Sequence, residues 1–185
     1  RAAGTVRGVQ RVSVVGTSGV GKTTLTGVLA RALDVPALQL DAVHHLPGWT
    51  PIDTPTFRER VGAFVARPGW VVDGNYAAVR DVVWARADTV VYLDYPRWRV
   101  MRQLVPRTLR RLITREELYN GNREELPNLL SRDPDRNILL WAWTTHRAKR
   151  EEFTAAMADP ANAGLRFVHL TSPAHTSDFV RNLRE

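Results

Sequence analysis

The 185-residue chain contains no cysteine, which excludes disulfides and thiolate metal sites. It is also nearly devoid of lysine: of 26 basic side chains, only Lys22 and Lys149 are lysine. No apolar run approaches the ~20 residues that a membrane-spanning helix needs. A signal-peptide layout is absent too, because the one early apolar run leads straight into a glycine turn. Internal repeats and low-complexity segments are missing. These absences fit a cytoplasmic protein, with no membrane as partner.

What is present is ordinary for a globular chain: 44% hydrophobic and 24% charged residues. The expectation is one domain over residues 1–185, burying roughly 70% of its unfolded surface. Residues 1–8 read as a loose leader. The net charge of +7 is concentrated. Seven arginines and no acid lie between Arg97 and Arg115, and the other 19 basic residues are matched by 19 acidic ones. A run of that kind points to an anionic ligand, either nucleotide phosphates or nucleic acid.

The stretch Arg11 to Thr24 carries the clearest chemistry. It reads as a buried strand, a glycine turn and a helix start. Gly16, Gly21, Lys22 and Thr23 satisfy the phosphate-loop pattern G-x-x-x-x-G-K-[ST]. Glycines let successive backbone N–H groups point inward at a phosphate chain. The following helix adds its positive dipole end. The loop expected to hold ATP is Gly16, Thr17, Ser18, Gly19, Val20, Gly21, Lys22, Thr23 and Thr24. Lys22 would reach the β- and γ-phosphates, and the Thr23 hydroxyl would hold Mg²⁺. A lysine retained in so arginine-rich a chain argues against a chance match.

The rest of the pattern alternates strands and helices. Strands are expected at Val12–Val15, Ala37–Leu40, Trp70–Val72, Thr89–Leu93 and Arg166–Leu170. Helices are expected at Lys22–Leu33, from Thr54-Pro55 with a capping hydroxyl, at Arg97–Ile113 with a kink at Pro106, at Ile138–Ala158 and at Ser177–Leu183. Residues 114–135 are polar and read as a mobile lid. This alternation implies an α/β fold with a parallel sheet covered on both faces. Sites in such sheets lie at the carboxyl ends of the strands, where Gly16, Asp41, Asp73 and Asp94 fall.

Magnesium needs oxygen ligands, so a carboxylate at a strand end is required. Asp73 and Asp94 both qualify. Asp73 is preferred, because it opens the polar turn Asp73-Gly74-Asn75-Tyr76, whereas Asp94 runs into Tyr95-Pro96 and a helix. Asp41 would accept a hydrogen bond from a substrate hydroxyl or serve as its base. His44, Trp49, Asn75, Tyr76 and Arg80 complete the expected acceptor side, with Arg86 facing the same pocket. An Asp41-His44-His45 metal site is the less favoured reading of that cluster. Arg107 leads the candidate lid arginines, ahead of Arg102, Arg110 and Arg111, with Arg132, Arg136 and Arg147 from the far side. Lid arginines would meet charge developing on a transferring phosphoryl.

Several stretches together resemble a known family. They are Gly16–Thr23, Leu40-Asp41, Pro47-Gly48-Trp49, Trp70 to Tyr76, Arg86 to Thr89, Leu93 to Trp98, and Arg107. They look like the small adenylate-kinase-like P-loop proteins called DNA topology modulation proteins, over about residues 9–150. The resemblance implies a P-loop NTPase fold with a five-stranded sheet in the order 2-3-1-4-5. It also implies that Asp73 helps hold magnesium and that Arg107 begins the lid. Adenylate kinases carry an arginine in the turn that here reads Asp73-Gly74-Asn75-Tyr76-Ala77. That arginine is missing, so AMP does not carry over as acceptor. The expected function is an ATP-dependent phosphotransferase using Mg²⁺ and a small-molecule acceptor. The alternative is a nucleic-acid-binding P-loop NTPase acting on DNA topology or regulation. A GTPase would need an Asn-Lys-x-Asp reader, and neither lysine sits in one.

Overall fold

A computed structural model describes residues 8–183. The expected leader, residues 1–8, lies outside the described residues except for Gly8. Five strands form one parallel sheet: β1 Arg11–Gly16, β2 Ala37–Gln39, β3 Trp70–Asp73, β4 Thr89–Leu93 and β5 Arg166–Leu170. Their order is β2-β3-β1-β4-β5, as the resemblance implied. The helices are α1 Lys22–Leu33, α2 Leu40–His44, α3 Thr54–Val65, α4 Ala77–Trp84, α5 Arg97–Thr114, α6 Leu126–Leu130, α7 Ile138–Ala158 and α8 Pro173–Asn182.

The central strands are apolar on both faces, and their alternation divides the core in two. Val12 and Val14 of β1, Val71 of β3 and Val91 of β4 point to one side. There they pack with Leu25 and Leu29 of α1, Val100 of α5 and Phe179 of α8. Val15, Trp70, Val72, Val90 and Tyr92 point to the other, against α3, α4 and Phe153 of α7. This is the period-2 geometry of a strand buried on both faces. Trp70 is fully buried and still satisfies its indole N–H, which donates to the Val65 carbonyl at 3.1 Å. Asp88 ties the lower edge together, because its Oδ2 accepts from the Gln10 and Arg11 amides.

Several local expectations change. The second strand ends at Gln39, so Leu40 and Asp41 belong to the start of α2 and not to a strand. The cap of α3 is the Asp53 carboxylate, which accepts from the Thr56 amide, and not the Thr54 hydroxyl. Helix α4 follows the Asp73 turn directly and was not read from the sequence. The helix α5 continues through Pro106 to Thr114 and ends at Arg115 in the left-handed region. The last helix starts at Pro173 under a Ser172 cap, four residues before the expected Ser177. Inside 114–135 lies the short helix α6.

The loop after β1 is set by Gly16. Its φ of 146° lies where side chains are strained, and a Cβ there would fall 2.5 Å from the Leu93 carbonyl oxygen of the neighbouring strand. Gly16→Ala is therefore expected to destabilise the fold by roughly 1–3 kcal/mol. Gly27 sits inside α1, where an added Cβ would meet only the flexible Arg31 side chain one turn on, at 3.6 Å. Gly27→Ala is expected to stabilise by about 0.5–1 kcal/mol. Urea unfolding of both variants reads the opposite signs.

Candidate active site

The glycine loop and the β3 turn meet across the sheet. Val14 of β1 pairs with Asp73 of β3, so the two strands end side by side. Lys22, at the first position of α1, folds back over the loop. Its Nζ donates to the Gly16 carbonyl at 2.9 Å and the Thr17 carbonyl at 3.1 Å. Burial lowers the Lys22 pKa, and the Asp73 and Asp41 carboxylates oppose that shift. Thr23 Oγ1 donates to Asp73 Oδ2 at 2.8 Å. Asp73 is 4% exposed. Burial pushes its carboxyl up, while Lys22 and the Thr23 hydroxyl pull it down.

A hydroxyl and a carboxylate this close, both oxygen donors beside a phosphate loop, fit a magnesium ion. Phosphate oxygens and water would complete its shell. Among the described residues no group of three or more His, Asp and Glu side chains is gathered as a metal site. Asp41, His44 and His45 are instead drawn into hydrogen bonds and ring contacts. Asp94, the other strand-end carboxylate, is committed elsewhere. Its Oδ1 accepts from Arg150 Nε at 2.8 Å, and its Oδ2 lies 3.0 Å from His169 Nε2.

Asn75 was expected on the acceptor side, but both ends of its amide are spent on the loop. Oδ1 accepts from the Gly16 amide at 3.1 Å, and Nδ2 donates to the Gly16 carbonyl at 2.6 Å. The preceding Gly74 has φ 145°, and a Cβ on it would meet Leu40 Cβ at 2.8 Å. Glycine is thus what lets the Asp73–Asn75 turn lie against α2.

Helix α2 brings Asp41, His44 and His45 together with Tyr76. The Tyr76 hydroxyl donates to Asp41 Oδ1 at 2.7 Å and lies 3.2 Å from His45 Nε2. Burial and the Asp41 charge push the Tyr76 phenol up. His44 packs its ring on Tyr76 and Phe57, at centroid distances of 4.5 and 5.2 Å. Burial holds both imidazoles below their usual pKa, His44 further because of His45, with Asp41 opposing in each. Arg80 lines a narrow pocket beside Asn75 and Tyr76. Its guanidinium is paired with Glu152 of α7 and lies over the Trp84 and Phe153 rings. Arg86 is exposed at the end of α4 and does not join it.

The 114–135 segment lies on the acceptor side. Asn120 Nδ2 donates to the carbonyls of Ala42 and His45, and Asn122 Nδ2 to that of Leu46. The Trp49 amide donates to Asn122 Oδ1 at 2.9 Å, and its indole N–H to the Arg123 carbonyl at 3.1 Å. Trp49, expected as an acceptor ring, is therefore the peg that holds this segment. Tyr119, not foreseen, lies within electrostatic range of Asp41 and Asp73. Burial, with the Asp41 and Asp73 charges, pushes its phenol up to about 12.

Of the arginines expected at a lid, Arg107 and Arg111 are half-buried and next to each other, with Glu116 and Glu124 in range. Burial and Arg111 lower the Arg107 pKa, and its Nε has no hydrogen-bond partner. Arg102 and Arg132 are exposed. Arg110 pairs with Glu116, Arg136 reaches Asn128, and Arg147 pairs with Glu151 on the outer face of its own helix. No signal in the sequence separated these roles, because each depends on where its helix faces.

Solved structures share this fold. The shikimate kinase from Acinetobacter baumannii, in complex with shikimate, matches with a TM-score of 0.56 and 16% identity, over 95% of this chain and 91% of that one. The shikimate kinase from Bacteroides thetaiotaomicron matches with a TM-score of 0.52 and 17% identity, over 95% and 96%. This is a P-loop NTPase fold. Identity this low speaks to the fold alone. No family model matches the sequence, and no curated protein matches it. Among the described residues no helix is long and apolar enough to cross a membrane.

Two outcomes follow from the geometry. Asp73→Asn is expected to lower turnover at least ~100-fold, equivalent to roughly 2.7 kcal/mol, with little change in melting temperature. Asp94→Asn should move melting more than turnover, because it weakens a pairing with Arg150 and His169. Turnover across a magnesium titration, beside thermal melts, separates them; a larger catalytic loss in Asp94→Asn reverses the assignment. Residues 114–135 should gain hydrogen-exchange protection when a non-hydrolysable ATP analogue binds. Equal protection with and without it removes the lid role.

Proposed function

We propose that this chain is an ATP-dependent phosphotransferase that moves the γ-phosphoryl of Mg-ATP onto a hydroxyl of a small acceptor. The observation that carries this reading is the 2.8 Å bond from Thr23 to the buried Asp73, next to a lysine folded over the glycine loop. What supports it is that two oxygen donors and a cation gathered at one glycine loop are the groups a triphosphate and its metal require. Magnesium would neutralise charge on the β- and γ-phosphate oxygens.

On this reading the loop amides and Lys22 hold the phosphates. The acceptor lies between α2 and the Asp73–Tyr76 turn. Tyr76 occupies Oδ1 of Asp41, orienting the carboxylate so that Oδ2 meets the acceptor hydroxyl. The acceptor oxygen attacks the γ-phosphorus in line. The bond to the β–γ bridging oxygen breaks, ADP leaves with that electron pair, and the acceptor proton passes to Asp41. Arg107 faces the charge as it spreads over the phosphoryl oxygens. The segment held on Trp49 keeps water away from the reacting atoms. Within the fold we assign the chain to the adenylate-kinase-like DNA topology modulation proteins, on the Asp73-Gly74-Asn75-Tyr76 and Asp94-Tyr95-Pro96-Arg97-Trp98 stretches. Arg80 is committed to Glu152, which disfavours a strongly anionic acceptor such as AMP on that wall.

A second reading, a nucleic-acid-binding NTPase, has one observation in its favour. Trp98 and Trp143 are 60% and 50% exposed, and Arg97 lies 4.8 Å over the Trp143 ring. Exposed rings beside arginines suit stacked bases. Oligonucleotide binding with a steep salt dependence would favour it.

The test of the first reading is ADP release above background hydrolysis in a screen of small hydroxyl compounds, nucleosides and nucleotides. Lys22→Ala is expected to abolish the transfer found while leaving the melting temperature near wild type. Near-normal turnover in that variant would show that the loop is not the catalytic centre.

A further inference from the structure

The second of the chain's two lysines comes to the same place as the first. Lys149 sits on α7, half-buried, and lines a narrow pocket with Thr17, Asp94, Tyr95 and His146. Thr17 is the second residue of the glycine loop. It is 6% exposed, and its hydroxyl oxygen is buried without a hydrogen-bond partner. Buried polar side chains nearly always have partners. An unbonded hydroxyl aimed into a pocket beside an ammonium group suits an oxygen-rich anion.

Charge makes the same point. The Lys149 ammonium lies within electrostatic range of Lys22, over 120 residues away in sequence. Two like charges over a partly buried loop repel, and an anion bound between them would offset that repulsion. Lys149 is held in position: its Nζ donates to Glu152 Oε2 at 2.8 Å, and Glu152 is held in turn by Arg80. Residue type matters as well. Arginine fills 24 of the 26 basic positions, yet one exception bonds to the glycine loop and the other lines a pocket with its Thr17. An ammonium is a compact point charge that reaches a phosphate oxygen where a broad guanidinium fork does not fit.

We propose that Lys149 is a second phosphate-binding lysine, which contacts the terminal phosphate of the bound nucleoside triphosphate from the side opposite Lys22. The Thr17 hydroxyl donates to the same phosphate. Glu152 and Arg80 are positioning residues that keep the ammonium beside the loop. The inference rests on the nucleotide site of the kinase reading and adds a discrimination to it: a contact to the third phosphate distinguishes ATP from ADP.

Calorimetric titration of the full chain with ATP and with ADP, in magnesium, tests this. Lys149→Gln keeps a donor for Glu152 and removes the charge, and Lys149→Met removes both. Both variants are expected to bind ATP roughly tenfold more weakly than wild type and to bind ADP unchanged. The unchanged ADP binding also reports that each variant is folded. A packing role would weaken the two nucleotides alike, and that result, or no weakening of ATP, overturns the proposal. Lys22→Ala separates the two levels. If it loses nucleotide while the Lys149 variants keep the wild-type ATP-to-ADP ratio, the Lys149 role alone fails. If it leaves ATP binding intact, the phosphate loop is not the nucleotide site, and both readings fail.

Discussion

The site depends on the clamp between Asn75 and the Gly16 backbone. Parallel strands end with unpaired backbone groups, and the loops that leave them diverge unless something ties them. Here one side-chain amide satisfies both the N–H and the C=O of Gly16. That pins the start of the glycine loop to the turn after β3. The same turn presents Asp73, so the clamp also sets the distance over which Thr23 and Asp73 meet. A glycine on each side of the clamp, at 16 and 74, permits the close approach. Any side chain at either place would collide with Leu93 or Leu40.

Around this clamp the electrostatics are opposed and partly buried. Lys22 and Asp73 each offset the other's shift, the Asp41 charge bears on both, and burial acts against the charge on each of the two. Preorganised charge of this kind suits a polyanionic ligand, because the protein has already met the cost of desolvating the groups. Three elements distant in sequence then close over it. Helix α2 supplies Asp41, α7 supplies Lys149, and the 119–123 segment supplies Tyr119 and the asparagines that grip α2. The Arg80–Glu152–Lys149 chain runs from the pocket beside Asn75 and Tyr76 to the pocket beside Thr17, so one charged network joins the two.

Much of this was legible because the signals were local. The phosphate-loop spacing, the apolar strands and the Asp73-Gly74-Asn75-Tyr76 turn each lie within a few residues, and local geometry follows from them. The preference for Asp73 over Asp94 rested on such a local contrast, and the two carboxylates do have different partners here. The missed features have the opposite character. Helix α4 is short and follows a turn whose polar residues dominated the reading. The Asp53 cap lost to a neighbouring Thr-Pro that fits the same rule. Asn75 and Trp49 carry side chains that suit a substrate pocket, yet their bonds go to backbone groups 59 and 74 residues away.

The amino-acid order by itself determined the α/β alternation, the position of the glycine loop and the local excess of positive charge, because periodicity, glycine placement and arginine content act over one turn or one strand. Tertiary structure alone decided which polar groups serve the site and which serve the scaffold. Arginines at 80, 107 and 147 are chemically identical. One is paired across to α7, one is half-buried in α5, and one faces solvent. Their difference lies in which way each helix is turned when its apolar face meets the sheet, and that is settled only when the whole core packs.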